Sequence, residues 1–111
     1  MAYDTAFADR VRTLLDGVTG LRELSMFGGI GWTVHGNMAL GTLGDVLICR
    51  LGPEAEALLE EPGADVFDLT GCAMKGWLTV SVEALDEAET LQEWVDRSVS
   101  FASGLPPKPG V

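Results

Sequence analysis

Positive charge is what this sequence has least of. Seven Lys and Arg stand against 17 Asp and Glu in 111 residues, a formal net charge of −10 at pH 7. A nucleic-acid-binding surface needs clustered bases to displace phosphate counterions, and here the bases are scattered. Arg10 and Arg12 share one segment, but Asp4, Asp9 and Asp16 flank them and cancel most of the local field. The composition therefore argues against DNA or RNA as a direct partner. Histidine is reduced to His35 alone. Together with Cys49, Cys72 and a carboxylate it lacks the close paired spacing that structural zinc sites use, so no metal is expected. The two cysteines form neither a CxxC pair nor a dense framework, which fits free thiols in a reducing compartment. Burial as a small hydrophobe is the commoner fate of such a thiol; a nucleophilic pair of His35 with Cys49 or Cys72 is the alternative, and nothing in the spacing supports it. Long apolar runs are missing too. No stretch approaches the roughly 18 to 20 residues of a bilayer span, and the opening Met1–Arg10 carries acids where a signal peptide carries bases. A cytoplasmic location is the expectation.

What the chain does have is apolar residues, 47% of the total, and 14 glycines. A chain of this length buries roughly 60 to 70% of its unfolded surface, enough for one core without disulfides and too little for a second domain. Tyr3, Phe7, Val11, Leu14 and Leu15 recur at helical spacing about Asp4, a good N-cap, and Gly17 offers a stop. From Leu21 to Leu51 short β-rich runs are broken at Gly28-Gly29, Gly36-Asn37 and Gly44-Asp45, which predicts a meander of about four antiparallel strands. Gly52-Pro53-Glu54 opens a short helix closed by Pro62-Gly63. Two strands follow, Val66–Leu69 and Trp77–Val82, around a loop containing Gly71 and Gly76. Asp86 with Glu89 reads as a capping box, and Leu91, Trp94, Val95 and Ala102 continue a helical stripe to Gly104. The prediction is a two-layer α+β domain, α-β(3-4)-α-β(2)-α, with helices packed on one face of an antiparallel sheet. It occupies residues 1–105, with a flexible Pro-rich tail over 106–111.

Most of the carboxylates fall on helix faces or in turns as solvated surface; Glu87, Glu89, Glu93 and Asp96 give the last helix a polar side that repels acidic partners. Trp94 falls in the core by its spacing, whereas Trp32 and Trp77 can be core or interface anchors. The glycine-rich stretch makes no phosphate loop, since Gly29-Ile30-Gly31 lacks a third glycine and leads into a strand, and Lys75-Gly76 reverses the nucleotide-loop order. No cofactor site and no catalytic set emerge.

Three strings remain: Ser25-Met26-Phe27-Gly28-Gly29 after the first strand, Gly36-Asn37-Met38 at the second turn, and Met74-Lys75-Gly76-Trp77 before the last strand. In order and spacing they resemble the N-terminal domain of the TfoX/Sxy family. The similarity runs from the helix after Asp4 to Leu105 and includes the acidic last helix around Trp94. It implies a fold similar to secretion chaperones. It also implies a regulator rather than an enzyme, because the founding members regulate natural competence as coactivators alongside the cyclic AMP receptor protein. Those regulators carry a second, C-terminal helical domain, whereas this sequence stops at Val111, so a stand-alone N-terminal domain is expected. The family brings no catalytic residues.

The expected contact set is Met26, Phe27, Gly28, Gly29, Asn37, Lys75 and Trp77. Met26 and Phe27 place flexible and aromatic apolar groups beside two glycines that admit a neighbouring backbone. Lys75, in what composition reads as a loop, is one of few cations and can hold an acidic group, although an ordinary surface ion pair is the plainer role. The reading is a non-enzymatic regulatory or adaptor domain working by protein contact, with a homodimer as one option. The alternative is a small-ligand-binding or enzymatic domain taking an anionic metabolite at the face around Phe27, Asn37 and Lys75.

Overall fold

A computed structural model describes residues 4–26, 28–68 and 73–107. Tyr3 with the rest of residues 1–3, Phe27, residues 69–72 with Leu69, Gly71 and Cys72, and the tail residues 108–111 lie outside this set.

The first helix, α1, covers Thr5–Leu15, and the Asp4 carboxylate caps it by accepting the Phe7 amide at 3.1 Å. Its stripe of Phe7, Ala8, Val11 and Leu15 is buried. A four-strand meander follows: β1 (Leu21–Met26), β2 (Gly29–Val34), β3 (Asn37–Leu43) and β4 (Val46–Arg50). The β2–β3 turn is closed by His35 at φ 50° and Gly36 at φ 82°. Two positive φ values match the right-handed twist of the flanking strands, so a non-glycine residue is tolerated there. A 3-10 turn at Gly52–Glu54 runs into the single turn of α2 (Ala55–Leu58), followed by β5 (Ala64–Asp68) and β6 (Ala73–Ser81). A second 3-10 turn, Val82–Leu85, leads to α3 (Ala88–Ser103).

All six strands join one sheet in the order β1-β2-β3-β4-β6-β5, and every pairing is antiparallel. The predicted α+β architecture is the one observed. Register sets the two faces. Trp32, Leu40, Cys49, Leu78 and Val66 pair successively across β2, β3, β4, β6 and β5. The first four of them belong to one cluster with the buried residues of α1, α2 and α3, so the helices share that side. The alternate row, Gly31, Gly41, Ile48, Thr79 and Asp65, faces the other way. Ile48 is buried there outside the main cluster.

The stripe of Leu91, Trp94, Val95 and Ala102 is buried as the spacing predicts, with Trp94 2% exposed. Trp32 is also core, at 1%. The start of α3 differs from expectation. Its N-cap is Glu87, no side chain caps it, and the Asp86–Glu89 box does not form. The preceding 3-10 turn extends into Asp86, whose backbone is already helical (φ −63°, ψ −37°), leaving its side chain unsuited to a capping bond. Asp86 contributes its carbonyl instead, accepting from Arg10 at 3.3 Å beside the Leu85 carbonyl at 2.9 Å. Strand β6 begins at Ala73, earlier than the expected Trp77, so Lys75 and Gly76 lie in the strand and not in a loop.

A polar link joins α1 to the sheet. Arg12 donates to Glu23 on β1 at 2.7 Å and to Asp9 at 2.6 Å, while the Trp32 indole N–H donates to Glu23 at 2.9 Å. The Arg12 hydrogen bond holds the Glu23 carboxyl below its ordinary range, against partial desolvation, with help from Trp32. A carboxyl that titrates lower in the folded chain than in the unfolded one stabilises at neutral pH, and that stabilisation disappears as acid protonates it. Arg12 and Glu23 are 39% and 42% exposed at their side chains, so solvent limits the link to about 1 kcal/mol. Glu23→Gln is expected to lower stability in urea titrations by at most that amount at neutral pH, with the difference closing as acid protonates the folded-state Glu23 carboxylate.

Candidate functional site

The helix layer does not cover the whole sheet. Helix α3 packs on β2, β3 and β4, whereas α2, one turn long, reaches β6 and leaves the helix-side surface of β5 unfinished. Among the described residues the exposed large hydrophobics are Val66, at 41%, and Met74, at 38%, and both line the resulting groove. The groove has a volume of about 440 Å³. Its floor comes from Val66 on β5 and from Met74, Gly76 and Leu78 on β6. Its wall comes from Ala55, Glu56 and Leu59 on and after α2, and Pro53, Lys75 and Trp77 complete the rim.

Local backbone explains why the floor is open. Gly76 sits within β6 at φ 84°, against Gly52 at φ 65°, and the Leu51 amide donates to the Gly76 carbonyl at 2.7 Å. A β-carbon on Gly76 would lie 3.3 Å from the Gly52 α-carbon, in a backbone conformation that L side chains rarely adopt. These two glycines let the 3-10 turn lie directly on β6. Trp77, next along the strand, is half-buried. Its ring lies 5.9 Å from Phe67 at a tilt of 50°, and the Arg50 guanidinium stands 5.4 Å from its centroid. The same guanidinium lies 5.7 Å from the Phe101 ring of α3 and donates to the Met38 carbonyl at 3.4 Å. Arg50 thus ties the rim of the groove to α3 by stacking on two aromatic faces.

The remaining residues of the expected contact set fall elsewhere. Met26 ends β1 and Gly29 opens β2, with Gly28 in the turn between them. Asn37 starts β3 at the opposite end of the β2–β3 hairpin, is 3% exposed, and donates its side-chain N–H to the Pro106 carbonyl at 2.9 Å. Lys75 and Trp77 are adjacent to the groove, and Phe27 lies outside the described residues. The family resemblance points to the string Met74-Lys75-Gly76-Trp77, of which Lys75 and Trp77 entered the expected contact set, but Met74, Val66 and Leu59 did not. No periodicity links these residues; the antiparallel β5–β6 register and the placement of α2 bring them together.

A second depression, of about 460 Å³, lies between the first 3-10 turn and α3. Arg97 lines it, its guanidinium 5.3 Å from the Trp94 ring and one nitrogen buried without a hydrogen-bond partner, but Glu54 and Asp96 line it too. These acids make it a poor anion site. Cys49 is fully buried, and burial pushes its thiol up to about 12, against a hydrogen bond with Ser98 and the Arg97 charge. In a Cys72→Ala background, this thiol is expected to resist an aromatic disulfide reagent at pH 8 until the chain is unfolded. Rapid labelling of the native protein would show that the strand opens locally. Among the described residues, no three His, Cys, Asp or Glu side chains gather as a metal site, and no helix is long and apolar enough to cross a membrane.

Residues 13–102 match the TfoX N-terminal domain. The chain belongs to the TfoX N-terminal domain family. The match runs from the last turn of α1 to the last turn of α3 and includes the groove and Asn37. This TfoX domain therefore sits in a family associated with competence regulation. No curated protein matches the sequence.

Proposed function

We propose that this TfoX domain is a non-enzymatic regulatory domain of the cytoplasm that acts by binding another protein, and that the groove between α2 and β6 is its contact surface. The observation that carries the reading is the convergence of the two exposed large hydrophobics, Val66 and Met74, on one concave site beside Lys75 and Trp77. Exposed apolar side chains scattered singly are ordinary, whereas two that line the same groove suit an interaction site. Family membership supports the regulatory part of the reading. The site offers hydrophobic area and a charged rim but no assembled acid, base and nucleophile, which suits binding rather than catalysis.

The test is co-purification from the native cell with the intact chain and with a Val66→Asp, Met74→Glu double variant shown by circular dichroism to fold. A stoichiometric partner retained by the first and lost by the second is the expected result. Equal recovery by both would move the contact surface elsewhere, and an empty lane for both would remove the adaptor reading.

The rival is a small-ligand site, for which a volume of about 440 Å³ is large enough. It predicts thermal stabilisation by an organic acid or nucleotide, about 2.7 kcal/mol at 100 times its dissociation constant. The regulatory reading predicts that a screen of such compounds leaves the melting temperature unchanged.

A further inference from the structure

The second depression contains a guanidinium that the fold leaves unsatisfied. Among the described residues Arg97 makes no hydrogen bond, and its one ion pair, with Glu93, is stretched to 4.0 Å. One of its nitrogens is buried with no acceptor, and the group stands 5.3 Å from the centroid of the Trp94 ring. A guanidinium is a planar fork of N–H donors that fits a carboxylate, and leaving such donors desolvated without an acceptor is costly. A ligand acceptor relieves that cost.

The other lining residues select the kind of acceptor. Leu51, Pro53 and Phe101 give the depression its apolar surface, and Glu54, Asp96 and Ser100 join Arg97 as its polar groups, around a volume of about 460 Å³. Asp96 already accepts from Gln92 at 2.8 Å. Glu54, on the 3-10 turn that faces α3, is exposed, and its carboxylate has no partner among the described residues. Arg97 and Glu54 therefore line one cavity with opposite charge and do not pair with each other. A plain anion would meet two acids there, and a plain cation would meet Arg97. A ligand that carries both charges satisfies both walls, and the apolar lining accepts its hydrocarbon part.

We infer that this depression binds a free α-amino acid with an apolar side chain, its carboxylate on Arg97, its ammonium toward Glu54 and its side chain against Leu51, Pro53 and Phe101. Pro53 also lines the groove between α2 and β6, so the ligand would stand beside the proposed contact surface without entering it. Neither reading rests on the other.

The experiment follows amide shifts of the isotope-labelled intact chain during titration with three probes: L-leucine, 4-methylpentanoate, which lacks the ammonium, and leucine amide, which lacks the carboxylate. Leucine is expected to give saturable shifts at Leu51, Glu54 and Arg97. It should bind at least about tenfold more tightly than either analogue, each of which loses one charge-assisted contact. Two variants, both checked for folding by circular dichroism, assign the contacts. Arg97→Gln is expected to weaken leucine about tenfold and to strengthen leucine amide, which no longer meets a like charge. Glu54→Gln, at an exposed position, should weaken leucine and strengthen 4-methylpentanoate. A change in fold alone does not produce this crossed pattern, and the Glu54 arm stands even where Arg97→Gln fails to fold. Binding of 4-methylpentanoate as tight as that of leucine would make the depression a carboxylate site and overturn the inference. A short peptide ending in leucine that binds more tightly than the free amino acid would assign the site to a chain terminus, and overturns it equally. So would the absence of saturable shifts with leucine and phenylalanine up to roughly 10 mM, ten times a millimolar Kd, or shifts confined to Val66 and Met74 in the groove.

Discussion

Trp94→Ala is expected to cost about 3–5 kcal/mol, most of the stability of a domain this small. The indole lies at the centre of the contact between α3 and the sheet, 2% exposed, in the cluster that also holds Trp32, Leu40, Leu47 and Cys49. Truncation removes the transfer energy of the ring and leaves a cavity that α3 cannot close without moving Leu91 and Val95 on the same face. It also strips the surface on which Arg97 rests, 5.3 Å above the ring. Trp77→Ala should behave differently. That ring is half-buried between Phe67 and Arg50, so its loss is expected to cost about 1–2 kcal/mol and leave a folded domain with an altered groove. Urea denaturation of the two variants measures the contrast. Equal losses would mean that the groove rim is as much a part of the core as α3.

Gly29→Ala is the second severe substitution, expected to remove about 3 kcal/mol or more. The added methyl would fall on the Thr42 carbonyl oxygen of the neighbouring strand and close to the Leu43 α-carbon. Both are backbone atoms, so no rotamer change relieves the clash. The β2–β3 pair, which begins at Ile30 opposite Thr42, would have to part at that end. Gly17→Ala provides the comparison. Its β-carbon meets nothing within 4 Å, and the only cost is the left-handed backbone at φ 87°, roughly 1–2 kcal/mol. Thermal melts of both variants check the difference. Comparable melting temperatures would show that β2 and β3 are farther apart than described.

The helices were legible wherever one local rule sufficed. Asp4 announces α1 because a capping carboxylate and an apolar stripe act within a single turn and a single face, and the α3 stripe declares itself for the same reason. The start of α3 was misread because Asp86 and Glu89 satisfy a spacing rule that takes no account of the 3-10 turn before them. Strand β6 was shortened because Lys75-Gly76 has the composition of a turn, while the pairing of β6 with β4 and β5 overrides that preference. The site was half legible. Met74-Lys75-Gly76-Trp77 stood out as a string, yet Val66 and Leu59 reach it only through sheet register and the docking of α2, which are non-local.

The three indoles are also spread unevenly between core and rim. Trp32 and Trp94 are buried, at 1% and 2% exposed, and should lie beyond the reach of acrylamide. Trp77 remains accessible, stacked beside a guanidinium at the mouth of the groove. Its fluorescence can be quenched selectively, and loss of that quenching on titration would report occupancy of the site in the unmodified protein, without a dye.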